Sequence, residues 1–176
     1  YNEYIIKQDL SLRLAKPSLA HPFGCDEFGR DLLLRILWGT KLSFAIGVVA
    51  IALSVIMGAP FGMIAAFYGG KTDNAIMRVM DVLLAVPYML LAMAIVAALG
   101  TSTFNLLLAL AVSGIAKYAR IARAAVLTVK DSEFVEAARA VGASDGTILF
   151  QYILPNALAP ILVQVSLGIG DSILAV

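Results

Sequence analysis

From Leu42 to Tyr68 the chain runs LSFAIGVVAIALSVIMGAPFGMIAAFY without one charged residue. Wound as a helix rising about 1.5 Å per residue, that stretch is about 40 Å long, enough to cross a hydrocarbon core of about 30 Å with some tilt. A second charge-free run extends from Val82 to Ala116 and is interrupted by GTSTFN at 100–105. Two helices joined at those six residues account for it better than one. Backbone groups in lipid must be satisfied within the segment, so such runs are helical. Composition agrees: 61% of residues are hydrophobic and 14% charged, with mean hydropathy +0.91, whereas a soluble domain carries about a quarter charged residues. A soluble chain with a very apolar core does not explain spans of this length. The expected fold is all-α, a polytopic transmembrane helical bundle with about four spans.

The spans are expected near 42–68, 82–99, 104–126 and 157–176. That arrangement puts the 69–81 and 127–156 connections on one face. The 100–105 turn and the 1–41 segment then lie on the other. Lys71 and Arg78 belong to one connection, and Lys117, Arg120, Arg123, Lys130 and Arg139 lie in or beside the other, while the 100–105 turn has no Lys or Arg. Positive residues favour the cytoplasmic side of short loops. The 131–156 stretch is therefore expected in the cytoplasm and residues 1–41 outside it. The six Lys and Arg among those 41 residues oppose this orientation, and five acids only partly offset them. The chain starts at Tyr1 in a polar segment and stops in an apolar run, as a core piece of a longer membrane protein would.

Gly58 and Gly62 form a G-x-x-x-G within the first span. Small residues let helices approach closely in lipid, and packing inside the bundle explains the pair more simply than a dimer face. Pro60 and Pro87 lie in or near spans, where a proline removes a backbone bond and bends a helix.

The stretch DSEFVEAARAVGASDGTILFQYILP carries charge and small residues between two apolar blocks. Asp131 or Ser132 suits a helix N-cap, with Glu133 in the first turn. Phe134, Ala137, Ala138 and Val141 recur at helical spacing as one apolar stripe. Glu136 and Arg139 are spaced for a surface pair, and Gly142 stands at a helix stop. Ser144 or Asp145 caps a second short helix that ends at Pro155. A hairpin resting on lipid would favour large apolar residues and a basic polar face. This one has a small stripe and an acidic face, and it points to a protein partner.

Glu136-Ala137-Ala138, three residues, Gly142, nine residues, then Tyr152-Ile153-Leu154-Pro155 resembles the EAA loop of the membrane subunits of binding-protein-dependent ABC importers. The family pattern is E-A-A-x3-G-x9-I-x-L-P, and only Tyr152 departs from it. HPFGCDEFGRDLLLRILWGTKLS and FYGGKTDNAIMRVMDVLLAVPYML are similar to segments of the dipeptide, oligopeptide and nickel subfamily. The resemblance covers about residues 21 to 176. It implies a permease subunit of a type I ABC importer in a prokaryotic inner membrane, surrounded by lipid. Its partners would be a second permease subunit, two cytoplasmic ATP-binding subunits and an extracytoplasmic substrate-binding protein. By matched position, Glu136, Ala137, Ala138 and Gly142 would form the coupling helix and its turn, and Leu154 and Pro155 would join the loop to the next span. Peptides are the first substrate class implied, nickel or a chelated metal the second.

Other chemistry is weakly encoded. No G-x-x-x-x-G-K-[ST] phosphate loop occurs, since Gly69-Gly70-Lys71 lacks that spacing, so no catalytic residue or cofactor is expected and ATP hydrolysis falls to separate chains. His21, Cys25, Asp26 and Glu27 make a poor ligand set, and no metal site is assigned. The single cysteine excludes an internal disulfide. Net charge +1 without a basic block gives no reason to expect nucleic acid. An intramembrane protease would need a base near Ser113, and the one histidine is His21. Asp171 lies in the last apolar block with Gln164 seven residues earlier on the same helical face. Acids inside membranes face an interior or aqueous path, so the two are candidate residues of a translocation path, with an Asp at the outer membrane boundary the alternative reading of Asp171. A channel or secondary transporter is the alternative, which would favour inverted repeats and needs no ATPase-docking loop.

Overall fold

A computed structural model describes residues 7–175, with side chains to Asp171; the last residue of the expected fourth span, Val176, lies outside them. The helices are α1 (Leu32–Tyr68), α2 (Gly70–Leu84), α3 (Tyr88–Leu99), α4 (Thr103–Val129), α5 (Glu133–Ala140), α6 (Asp145–Thr147) and α7 (Leu154–Ala175), with a π-helical turn at Ile148–Ile153 between the last two. Among the described residues there is no strand. The all-α expectation holds.

The chain divides into two compact units, Tyr1–Ala45 and Ile46–Val176. In the first, the turn 24–31 folds back on residues 9–15. The Asp9 amide donates to Phe28 O (3.2 Å), Leu14 to Asp26 O (3.1 Å) and Cys25 to Ala15 O (3.0 Å). Gly29 adopts φ +73°, and any Cβ there would strike the Asp9 carbonyl. Asp26 organises the turn by accepting from the amides of Phe28 and Arg30 (2.8 and 3.0 Å), from Arg30 Nε (2.8 Å) and from Arg35. His21 Nδ1 lies 2.8 Å from Asp31 Oδ2, and Cys25 is buried with a free thiol. His21 and Asp26 are thus engaged in pairs. Among the described residues no group of three or more His, Cys, Asp or Glu is placed to hold a metal.

In the second unit α4 is the axis, packed by α2, α3 and α7. α1 approaches it through Gly58 and Gly62. A Cβ on either would collide with the backbone of Ile115 or Ala119. The G-x-x-x-G therefore serves packing within the chain, as its small size allows. Ser54 fixes the same crossing by donating to the carbonyls of Ala50 and Ala111, both at 2.9 Å. The turn between α3 and α4 falls where expected. Ser102 caps α4 by accepting from the Asn105 amide (3.1 Å), and Asn105 Nδ2 donates back to Leu99 O (2.7 Å) and Gly100 O (3.0 Å).

The second span differs from expectation. Instead of one helix over 82–99, α2 and α3 meet at a break of 80°. Pro87 caps α3, and the residue before a proline is driven out of the helical region, so the helix stops there. At about 18 Å, α3 alone is too short for a hydrocarbon core. The 69–81 connection is itself most of helix α2. Among the described residues, three helical stretches remain long and apolar enough to cross, or four if the bent pair counts as one span. Pro60 lies inside the continuous α1. That helix begins at Leu32, ten residues ahead of the apolar run.

Two outcomes follow. Gly62→Ala in the full-length protein is expected to cost about 1–3 kcal/mol through forced separation of α1 and α4, while Gly39→Ala on the same helix, where a Cβ meets nothing within 4 Å, is neutral or stabilising. Thermal unfolding in detergent distinguishes them. Burial alone would raise the Asp26 carboxyl pKa, but its two backbone donors and the Arg30 guanidinium outweigh it and hold the group at about 2. A depressed folded value means that the stabilisation is complete above the ordinary carboxylate range and disappears as pH falls through it toward 2. Hydrogen-exchange protection of the Phe28 and Arg30 amides should persist at pH 5 and be lost near pH 2.

Candidate functional site

The 131–156 loop is a shaped surface with one side anchored. Ser132 stands at the N-cap of α5 with Glu133 and Glu136 in the first turn, although its hydroxyl donates to Val129 O (2.6 Å) instead of accepting from the helix. At the other end Gly142 takes φ +83°. The Gly142 amide donates to Arg139 O and the Ala143 amide to Ala138 O, each at 3.0 Å. Those two bonds make a Schellman stop, which an αL glycine supplies without the penalty a Cβ would bring. A Cβ on Gly142 would meet nothing within 4 Å, so backbone conformation alone demands glycine.

The apolar stripe is partly re-aimed. Val135 and Ala138 are buried, in one cluster with Met63, Ala66, Phe67 and Val126. Phe134, Ala137 and Val141 face outward, Val141 being 84% exposed. Helical spacing alone groups Ala138 with the outward residues; its burial follows from Val135, one position off the expected stripe. The expected Glu136–Arg139 pair gives way to a cation–π contact, with the Arg139 guanidinium 5.6 Å from the Phe67 ring centroid. Arg139 thus ties α5 to the end of α1, and Glu136 stays exposed. Beyond Ser144, which caps α6 by accepting from the Thr147 amide (3.3 Å), the helix widens into the π-turn. The Leu154 amide closes it on Leu149 O. Pro155 has no N–H to donate and its ring crowds the carbonyl one turn back, and the wider turn relieves both. Leu154 is half-buried, Pro155 is exposed, and Ile148, Leu149 and Ile153 are in the core.

A cavity of about 460 Å³ opens in the second unit between α1, the α2–α3 junction, α4 and α7. Ile51, Leu110, Met89 and Leu84 make its walls apolar, and Tyr88, Ser113 and Tyr118 add hydroxyls. Asp171 lines it, with its carboxylate 3.5 Å from Lys117 Nζ. Gln164 is half-buried and is not among the lining residues.

Lys117 lies inside the expected 104–126 span, beside the basic residues counted with the 127–156 connection. It sits fourteen positions into α4, about 21 Å from the helix start. Arg120 and Arg123 follow on the same helix and pair with α2. Arg120 bonds Asp81, and Arg123 grips Asp73 through two bonds of 2.6 Å. Their i, i+3 spacing was a visible signal. Their acids were not identifiable until α2 folded against α4.

Residues 58–176 match the family described as "Binding-protein-dependent transport system inner membrane component". The chain belongs to that family. A dipeptide transport system permease protein from Alkalihalophilus pseudofirmus is 46% identical over 93% of this chain and 54% of its own length. A glutathione transport system permease protein from Pectobacterium atrosepticum is 42% identical over 90% and 52%. The chain thus spans about half the length of the curated relatives it matches. A solved structure titled as inward-facing conformations of the MetNI methionine ABC transporter shares the fold, with TM-score 0.70 at 20% identity over 81% of this chain and 71% of that one. Family membership leaves the channel and secondary-transporter alternative without support.

Replacing Gly142 by Ala should cost about 1–2 kcal/mol in local stability because of its left-handed backbone. Faster amide exchange at Gly142 and Ala143 would report it, with α4 protection unchanged.

Proposed function

We propose that this chain is the core of a permease subunit of a type I ABC importer for short peptides, and that it performs no catalysis itself. Family membership and relatives named for dipeptide and glutathione transport support that reading, and favour peptides over nickel. In it, residues 131–156 lie in the cytoplasm and residues 1–41 outside. Lys130, Arg139 and the basic end of α4 on the loop side support the orientation. A second permease subunit completes the path, a binding protein delivers substrate outside, and two separate ATP-binding subunits dock inside.

The observation that carries the proposal is the two-sided character of α5. Its inner face is locked to the bundle through Val135 and Ala138, while Phe134, Ala137 and Val141 are presented outward beside Glu133 and Glu136. A short helix so anchored transmits a push as rigid-body motion, where a loose loop would absorb it. Glu136, Ala137, Ala138 and Gly142 form the docking element and its stop, with Ala138 acting from the anchored side. Leu154 and Pro155 connect it to α7 through the π-turn. ATPase closure then biases the bundle between two discrete packings.

Co-purification of the full-length protein with its ATP-binding partner tests this. Phe134→Ala with Val141→Ser removes exposed apolar surface and leaves the anchored face intact. The double variant should insert and fold normally yet lose most of the bound ATPase. Equal retention by wild type and variant would remove the docking assignment.

A further inference from the structure

The cavity beside α4 holds two opposite charges against largely apolar walls. Lys117 Nζ and Asp171 Oδ2 are 3.5 Å apart, with 42% and 74% of their side chains exposed. The contact is long for an ion pair, and neither partner is held by burial. The two other basic residues of this helical run are differently placed: Arg123 is clamped bidentately to Asp73, and Arg120 is bound to Asp81. Those two contacts staple α2 to α4. The Lys117–Asp171 pair instead lies at a cavity, between α4 and α7, where separating the charges leaves room for something between them.

Charged groups inside a membrane span are costly and persist where they face an interior or an aqueous route. Lysine offers only donors and the aspartate only acceptors. A guest with one cationic and one anionic end can therefore replace their mutual contact with two of its own. The cavity, about 460 Å³, lies in the range of about 300–1,000 Å³ that suits small molecules. Its apolar walls suit apolar side chains, while Tyr88, Tyr118 and Ser113 offer hydroxyls to amide groups. Tyr118 reaches this position because the facing residue on α7 is Gly168; a Cβ there would collide with the Tyr118 hydroxyl.

We propose that this cavity is a transit site for zwitterionic short peptides, in which Lys117 receives the terminal carboxylate and Asp171 the terminal ammonium. The assignment rests on the peptide-importer reading above and adds to it the groups that recognise the cargo inside the membrane. It explains a pair left long at the cavity while Arg123, further along α4, is held bidentately and sheltered by Asp73. Selection here is by the two termini, and the apolar walls favour uncharged side chains between them.

The test uses the full-length permease assembled with its partner subunits in vesicles, supplied with binding protein at matched occupancy. The cargoes are a free dipeptide, its N-acetyl form, its C-terminal amide and the doubly blocked form. Wild type should take up the free dipeptide at least about tenfold faster than the doubly blocked form, as loss of charged hydrogen bonds implies. Lys117→Gln should abolish the preference for a free carboxylate and leave amide uptake within about twofold of wild type. Asp171→Asn should do the same for the free amine, and Lys117→Arg and Asp171→Glu should retain selectivity. If a neutral variant fails to assemble, the wild-type comparison of free and doubly blocked cargo still decides. Equal wild-type rates overturn the proposal, as do neutral variants that slow all four cargoes alike or change nothing; the pair is then structural or covered by the second permease subunit. Peptide uptake without terminal selectivity leaves the importer reading standing. No uptake of free dipeptide by wild type takes down both.

Discussion

The second unit depends on close approach of α1 to α4. Two glycines one helical turn apart bring the α1 backbone against the carbonyls of Ile115 and Ala119, and Ser54 donates across the same crossing. In lipid no hydrophobic force holds helices together, so dispersion between closely placed backbones and hydrogen bonds across the contact must do it. Ala109, Ala111, Gly114, Ala116, Ala119, Ala122 and Ala125 make α4 slim on its buried faces. That slimness lets one helix serve as the packing surface for four others.

Electrostatics completes the arrangement where packing cannot. α2 is amphipathic and contributes little buried apolar surface, Met80 being its one buried residue. It packs Ile76, Met77, Met80 and Leu83 against α4, and Arg123 and Arg120 add ion pairs to Asp73 and Asp81. Bidentate Arg–carboxylate pairing fixes direction as well as distance. Lys130 adds a hydrogen bond to Ala66 O (3.2 Å) near the end of α1, where unsatisfied helix carbonyls attract a cation. These contacts gather on the side of the unit from which the α5 loop projects. The loop is thereby seated on a stiffened end of the bundle, as the force transmission proposed for it would require.

The α5 loop and the cavity use opposite physical strategies. α5 is over-determined: buried Val135 and Ala138, a cation–π contact and a Schellman stop all specify one pose. The Lys117–Asp171 pair is under-determined, exposed and long, and lies against a cavity wall built mainly of apolar atoms. The docking role proposed for α5 would gain from rigidity, because motion lost in the helix is not delivered. The transit role proposed for the cavity would gain from looseness, because a cargo held too firmly does not leave.

Much of this was legible in the residues. Uncharged runs too long for anything but spans dictated helices in lipid, since backbone polar groups there have no other partner. Gly142 announced a helix stop through its left-handed preference, and the stretch at 100–105 a turn. Those features act within a turn or two of chain, so local chemistry decides them. The 80° break at Pro87 was half-visible, as a proline without evidence of how far the chain would bend. The face assignment of α5 was not legible: Val135 and Ala137 differ by two positions and either fits an apolar side until the neighbouring Phe67 and Val126 are placed. Nor was the partner of any basic residue on α4. Asp73, Asp81 and Asp171 lie some forty to fifty residues away, and only the packing of α2 and α7 on α4 brings them within reach. The sequence by itself determined the helical fold class, the helix stop at Gly142 and the turn between α3 and α4; tertiary structure decided where the second span breaks, which face of α5 is buried and which charges meet, because pairing across helices is set by distances in space that no local pattern records.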